Sequence, residues 1–150
     1  MKIEVKILDK RVELPKQATA GSAGFDLVAA IDEPIILKAG ESKLIPTGLA
    51  IFVEDPWIVG FILPRSKLGA KQGLVVGNLT GVIDSDYQGQ WFISAWNRNF
   101  DKEVVINPLE AIAQAVFLQL PDVVLHEVQE FSEQTTRADG GIGKDVDTKG

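Results

Sequence analysis

Apolar residues along this chain recur at every second position, with no sustained helical period, and that alternation is the strongest constraint on what it can fold into. Ile3, Val5 and Ile7 alternate with Lys2, Glu4 and Lys6, the pattern of a strand with one face buried and one in water. Apolar, β-branched runs follow over 25–29, 34–37, 43–53, 57–63, 74–76, 90–96, 103–106, 115–120 and 123–131. Turn-forming clusters separate them: Ala39-Gly40-Glu41, Glu54-Asp55-Pro56, Gly77-Asn78, Asp86-Tyr87-Gln88-Gly89, Asn107-Pro108 and Pro121-Asp122. Many short strands spaced by about 8–12 residues predict an all-β sandwich, jelly roll or barrel. One short helical turn is expected over 66–70, after Pro64. A chain of 150 residues is one domain of ordinary size and buries enough surface to fold without staples.

Two stretches go beyond a plain sandwich. The run 90–96 carries bulk on both faces, Trp91 and Ile93 on one and Phe92 and Trp96 on the other. A strand apolar on both faces is expected to be covered on both, by a second sheet or by another subunit. After Phe131 the apolar content collapses and glycines appear among charged residues. A domain over 1–134 is therefore expected to carry a flexible glycine-rich arm over 135–150.

Composition removes several classes of function. There is no cysteine, so disulfides, thiolate metal sites and cysteine nucleophiles are out, which suits a reducing compartment. One histidine excludes a multi-histidine metal site. A formal net charge of −6 argues against nucleic-acid binding, which runs on cations neutralising phosphates. The longest unbroken apolar run, 57–63, is far short of the ~20 residues a membrane span needs. The expected setting is the cytoplasm, with no membrane and no nucleic acid as partner.

Four segments hold residues suited to chemistry. In Pro64-Arg65-Ser66-Lys67-Leu68-Gly69, Arg65 offers a planar fork for phosphate oxygens and Ser66 a hydroxyl, and the following N–H groups can form an anion nest. On its own the run reads as a solvated turn. Gly81-Val82-Ile83-Asp84-Ser85-Asp86-Tyr87-Gln88-Gly89 reads as a hairpin tip joining two apolar strands, more heavily furnished than turning requires. Asp84 follows Val82 and Ile83, so its carboxylate is expected to start from partly buried backbone, where it could act as a general base. Asx turns by Asp84 and Asp86 explain the same residues equally well. Asp26, within Ala23-Gly24-Phe25-Asp26-Leu27, needs a partner, either a structural cation or a hydrated metal. Gln114, among alanines, poses the same question for an amide. Finally, the run from Arg137 to Lys144 is a glycine-rich loop with a cation at each end, which could cradle phosphate but lacks the setting of a P-loop. His126 is assigned no function, and the three tryptophans are expected in core or interface.

Taken in order, these segments resemble the five motifs of the homotrimeric dUTP diphosphatases (dUTPases), bacterial members in particular. Ala23 to Leu27 is similar to the first motif, Pro64 to Gly69 to the second, and Gly77-Asn78-Leu79-Thr80 through Gly89 to the third. Ile112-Ala113-Gln114 resembles the fourth, and Arg137 to Gly143 the fifth. The resemblance implies a distorted jelly-roll β-barrel and a trimer with sites between subunits. It implies magnesium-dependent cleavage of dUTP to dUMP and pyrophosphate, supplying dUMP and keeping uracil out of DNA. It assigns Asp84 to activating the water that attacks the α-phosphorus, and Tyr87 to packing under deoxyribose. Asn78, with the backbone of Val82 and Ile83, is assigned to reading the uracil edge. Arg65, Ser66 and Gln114 are implied as phosphate contacts, with Lys67 counted beside them as substrate-binding, Asp26 as the holder of magnesium-bound water, and Arg137 and Ile142 as arm residues over the γ-phosphate and the base.

Three motifs depart from the family pattern. Lys67 stands where glycine is usual, and Leu109-Glu110-Ala111 replaces Gly-Glu-Arg. Ile142 replaces the phenylalanine that stacks on uracil, a difference of ~0.5–1.5 kcal/mol. Two other readings follow. The related dCTP deaminases place a glutamate on the strand after the third motif, and the run 90–97 contains no acid. A catalytically weak nucleotide-binding or regulatory protein would use the altered arm.

Overall fold

The period-two pattern is realised as ten strands in a computed structural model that describes residues 1–138. They are β1 (Glu4–Ile7), β2 (Phe25–Val28), β3 (Ile35–Leu37), β4 (Ser42–Phe52), β5 (Ile58–Pro64), β6 (Leu74–Val76), β7 (Gly81–Ile83), β8 (Gln90–Asn97), β9 (Val104–Ile106) and β10 (Ala111–Gln119). One sheet has the order β1-β4-β8-β6 and a second the order β2-β10-β5-β7, with β3 and β9 forming a separate pair. All pairings are antiparallel. This is the all-β, jelly-roll-like architecture that the alternation implies. After Pro64 the chain makes a helical turn at Ser66 and Lys67 that widens into a π-turn over Leu68–Gln72. No helix among the described residues is long and apolar enough to cross a membrane.

The inward positions of the two large sheets supply the core: Leu27, Ile45, Leu49, Ile62, Leu74, Trp91 and Ile93 are all essentially inaccessible. Trp91, on β8, reaches across to the opposite sheet. Its ring lies over Gly60 of β5, where a Cβ would stand 2.7 Å from Trp91 Cη2. It also meets the Phe117 ring of β10 at 6.2 Å, and its indole N–H donates to the Ile51 carbonyl at 3.2 Å. One side chain thus ties β4, β5, β8 and β10 together.

Two expectations are corrected. Residues 123–131 form no strand and pair with none within one copy, and Val124 and Leu125 are 84% and 93% exposed. The segment 81–89 is not the tip of a hairpin, because β7 pairs with β5 whereas β8 pairs with β4 and β6. It carries the chain from one sheet to the other. On β8, Trp91, Ile93 and Ala95 are buried, while Phe92 on the other face is 43% exposed, so no second sheet covers that face within one copy. The boundary between 1–134 and an arm is not marked by any element, and residues 139–150 lie outside the described residues.

The Trp91–Gly60 contact leaves no slack. Gly60→Ala is expected to cost about 1–3 kcal/mol, because a fully buried indole has no room to give way. Urea unfolding should show a lower midpoint at unchanged slope; an unchanged midpoint would contradict the packing described.

Candidate active site

The residues singled out from sequence gather in two places. The first lies where β5 ends. β10 runs between β2 and β5, so Gln114 faces Asp26 on one side and Leu63 on the other, while Ala113 faces Pro64. That register delivers Arg65, just past the strand end, to Asp26. The pair is bidentate: Arg65 Nε to Asp26 Oδ1 at 3.0 Å, and Arg65 Nη2 donating to Asp26 Oδ2 at 3.1 Å. Arg65 Nη1 donates to the Ala111 carbonyl at 3.1 Å. Of the five guanidinium N–H groups, two remain for an anion. Gln114 donates through Nε2 to the Pro64 carbonyl at 2.9 Å and so holds the residue before Arg65. Ser66 and Lys67 open the helical turn and are exposed. Asp26 therefore has a partner within the chain, Arg65, itself another of the residues singled out from sequence.

The second cluster surrounds β7. Asn78 is exposed in the turn ahead of it, where the Leu79 N–H donates to the Val76 carbonyl at 2.9 Å. Val82 and Ile83 lie on β7, the outer strand of its sheet, so one row of its backbone groups faces outward. Asp84 follows directly, in a turn closed by the Tyr87 N–H donating to the Asp84 carbonyl at 3.2 Å. The Glu54 N–H fastens this turn by donating to the Ser85 carbonyl at 3.0 Å. Asp84 is exposed within one copy, between half-buried Ile83 and Ser85. It lines an open pocket of about 270 Å³ with Val82, Ile83, Tyr87, Gln90 and Phe92.

The two clusters sit at opposite ends of β5. Ile83 pairs with Gly60, which sets Asp84 level with Val59. Arg65 lies six residues further along, roughly 20 Å at ~3.3 Å per residue. Arg137 is exposed in the last described turn, where the Ala138 N–H donates to the Thr135 carbonyl at 3.1 Å; Ile142 and the rest of the glycine-rich loop lie outside the described residues. Sequence reasoning missed Gln90 and the Ala111 carbonyl as contributors. Neither carries a composition signal, because both act through strand register. Phe92 was legible as surplus bulk on β8, though not as a pocket wall.

Comparison with known proteins identifies the family and the fold. The dUTPase family model matches residues 10–145. The deoxyuridine 5'-triphosphate nucleotidohydrolase of Paraburkholderia xenovorans (strain LB400) is 52% identical over 145 residues, 95% of this chain and 97% of that protein. The dUTPase of Staphylococcus bacteriophage 80alpha, solved with dUPNHPP, superposes with a TM-score of 0.83 at 26% identity, covering 97% of this chain and 98% of the phage chain. The dUTPase of S. aureus phage phi11, in which a structural Mg(II) ion is coordinated, shares the fold at a TM-score of 0.79 and 23% identity, over 89% of this chain and 100% of that one. Fold and site define an all-β protein with an arginine–carboxylate cluster and a carboxylate–tyrosine pocket at opposite ends of one strand. The chain belongs to the dUTPase family.

Arg65 and Asp26 are 38% and 40% exposed at their side chains, so their attraction is screened. A double-mutant cycle on urea stability with Asp26→Ala and Arg65→Ala should return a coupling below about 1 kcal/mol. Coupling of several kcal/mol would mark the pair as a structural element of the fold.

Proposed function

We propose that this protein hydrolyses dUTP to dUMP and pyrophosphate at sites assembled between copies of the chain in a homotrimer. The observation that carries the reading is the pocket beside β7, where the Asp84 carboxylate, the Tyr87 ring and an unpaired strand edge meet. A strand edge offers alternating N–H and C=O groups, which suit the edge of a uracil base, with Asn78 adding an amide. The Tyr87 ring gives the deoxyribose an apolar floor. Asp84 accepts a proton from water as its oxygen attacks the α-phosphorus; the bond from that phosphorus to the bridging oxygen breaks, and pyrophosphate leaves.

The phosphates need cations that the Asp84 pocket lacks. Arg65 supplies two N–H groups, and Ser66 and Lys67 add a hydroxyl and a charge at the start of the turn. Their distance from Asp84 within one copy is the reason for placing the site between copies. Gln114 braces the Arg65 backbone, and Arg137 with Ile142 would close over the nucleotide from the arm. The exposed apolar residues of 123–131 and the open face of β8 are surfaces that such an assembly would cover. A cytoplasmic setting, with no nucleic acid or membrane as partner, suits a cysteine-free acidic chain.

Magnesium fits the residues present. No cluster of three or more metal-ligating side chains occurs among the described residues, so an ion would be held chiefly by phosphate oxygens and water, as magnesium commonly is. Each Asp26 oxygen accepts one N–H from Arg65, which leaves a lone pair apiece for metal-bound water. When bound, the ion neutralises triphosphate charge and polarises the phosphoryl group.

The test is pyrophosphate release from dUTP with magnesium, beside UTP, dTTP and dCTP. Release confined to dUTP, with Asp84→Asn lowering kcat by about 10²–10⁴-fold while dUTP still binds, is the expected outcome. Binding of dUTP by the wild type without release would favour the binding-only reading.

A further inference from the structure

Tyr87 is exposed, yet its hydroxyl is committed to the chain itself: it donates to the Gln90 carbonyl at 3.0 Å. To get there the ring passes over Gly89. A Cβ at Gly89 would stand 2.6 Å from Tyr87 Cζ and 3.0 Å from Cε2, closer than side chains approach. Gly89 is not among the glycines with positive φ, so its backbone does not call for glycine; the tyrosine ring does. Gln90 is itself fixed, its Oε1 accepting the Gly48 N–H at 3.2 Å, while the Gly48 carbonyl accepts the Leu8 and Asp9 N–H groups at 2.8 and 3.2 Å. The phenol tip is thus tied through Gln90 and Gly48 to the first turn of the chain.

We infer that Gly89 is a positioning residue for sugar specificity: it lets the Tyr87 ring lie flat and lock onto Gln90, turning an exposed side chain into a wall that does not retreat from a ribose 2'-hydroxyl. This rests on the proposal that Tyr87 meets the deoxyribose. An apolar pocket rejects an isostere bearing one extra hydroxyl by only about 10²-fold, and a wall free to swing forfeits part of that. Rigidity, rather than the ring alone, then sets the ratio.

Two measurements test it. The first compares kcat/KM for dUTP and UTP in wild type, Gly89→Ala and Tyr87→Ala. The dUTP/UTP ratio is expected to fall about tenfold in Gly89→Ala, through a gain with UTP and not a loss with dUTP. It should fall at least as far in Tyr87→Ala. If Tyr87→Ala leaves the ratio unchanged, Tyr87 does not meet the sugar and the underlying proposal fails. If Tyr87→Ala lowers it but Gly89→Ala does not, or loses both substrates in equal proportion, only the inference about Gly89 fails. The second measurement is independent of turnover. The chain contains one tyrosine, so a tyrosine label with ¹³C at Cζ gives a single resonance that reports the phenol's hydrogen bond. In Gly89→Ala that resonance should move toward the value of a solvated tyrosine; an unmoved resonance overturns the clamp.

Discussion

The contact between Trp91 and the bare backbone of Gly60 decides the rest of this structure. It joins the two large sheets at one point, with the indole stacked into the space a side chain at 60 would fill and its N–H returned to Ile51. Face-to-face sheets bury their inner residues only if the spacing and relative slide of the layers are fixed, and a fully buried tryptophan fixes both. β5 is thereby held in the middle of its sheet, between β10 and β7. Everything chemical hangs from β5: Arg65 leaves its far end, and β7 brings Asp84 level with its near end.

The length of one strand therefore becomes a statement about assembly. A nucleotide's base, sugar and α-phosphorus suit the end with Asp84 and Tyr87, whereas phosphate oxygens suit the end with Arg65, Ser66 and Lys67. A single copy holds these ends apart by the rise of its own backbone, and no side chain spans that interval. In the assembly proposed above, bringing two copies together would unite the two ends. In that proposal the Arg65–Asp26 pair, exposed enough to add little stability, would keep the guanidinium oriented for phosphate.

Much of this was legible in the sequence. Alternation located β1 to β6, β8 and β9 to within a residue or two, because burial of one face imposes the period directly. β10 begins four residues earlier than the apolar run suggested, since Gln114 interrupted the pattern while pairing normally with β2 and β5. The stretch 123–131 reads as a strand but has no partner within one copy, a distinction that local pattern cannot make. The furnished segment 81–89 was recognised by its residues and misread in its path, because a sheet-to-sheet crossing and a hairpin use the same turn chemistry. Pairing of Arg65 with Asp26, 39 residues apart, depends on β10 lying between their strands. The Tyr87 clamp depends on a backbone carbonyl and a missing Cβ, neither of which has a sequence signature beyond a glycine.

If the two ends of β5 serve different sites, the Asp84 and Arg65 that act on one nucleotide belong to different copies. Complementation tests this most directly. Asp84→Asn and Arg65→Ala chains, carrying different tags, are co-expressed and the mixed oligomers isolated through both tags in succession. Each variant alone should be inactive, and the doubly tagged oligomers should regain a substantial share of wild-type pyrophosphate release from dUTP, because some sites then unite an intact Asp84 with an intact Arg65. Doubly tagged oligomers as inactive as their parents would show that both residues act within one chain, and would contradict the division of labour between the ends of β5.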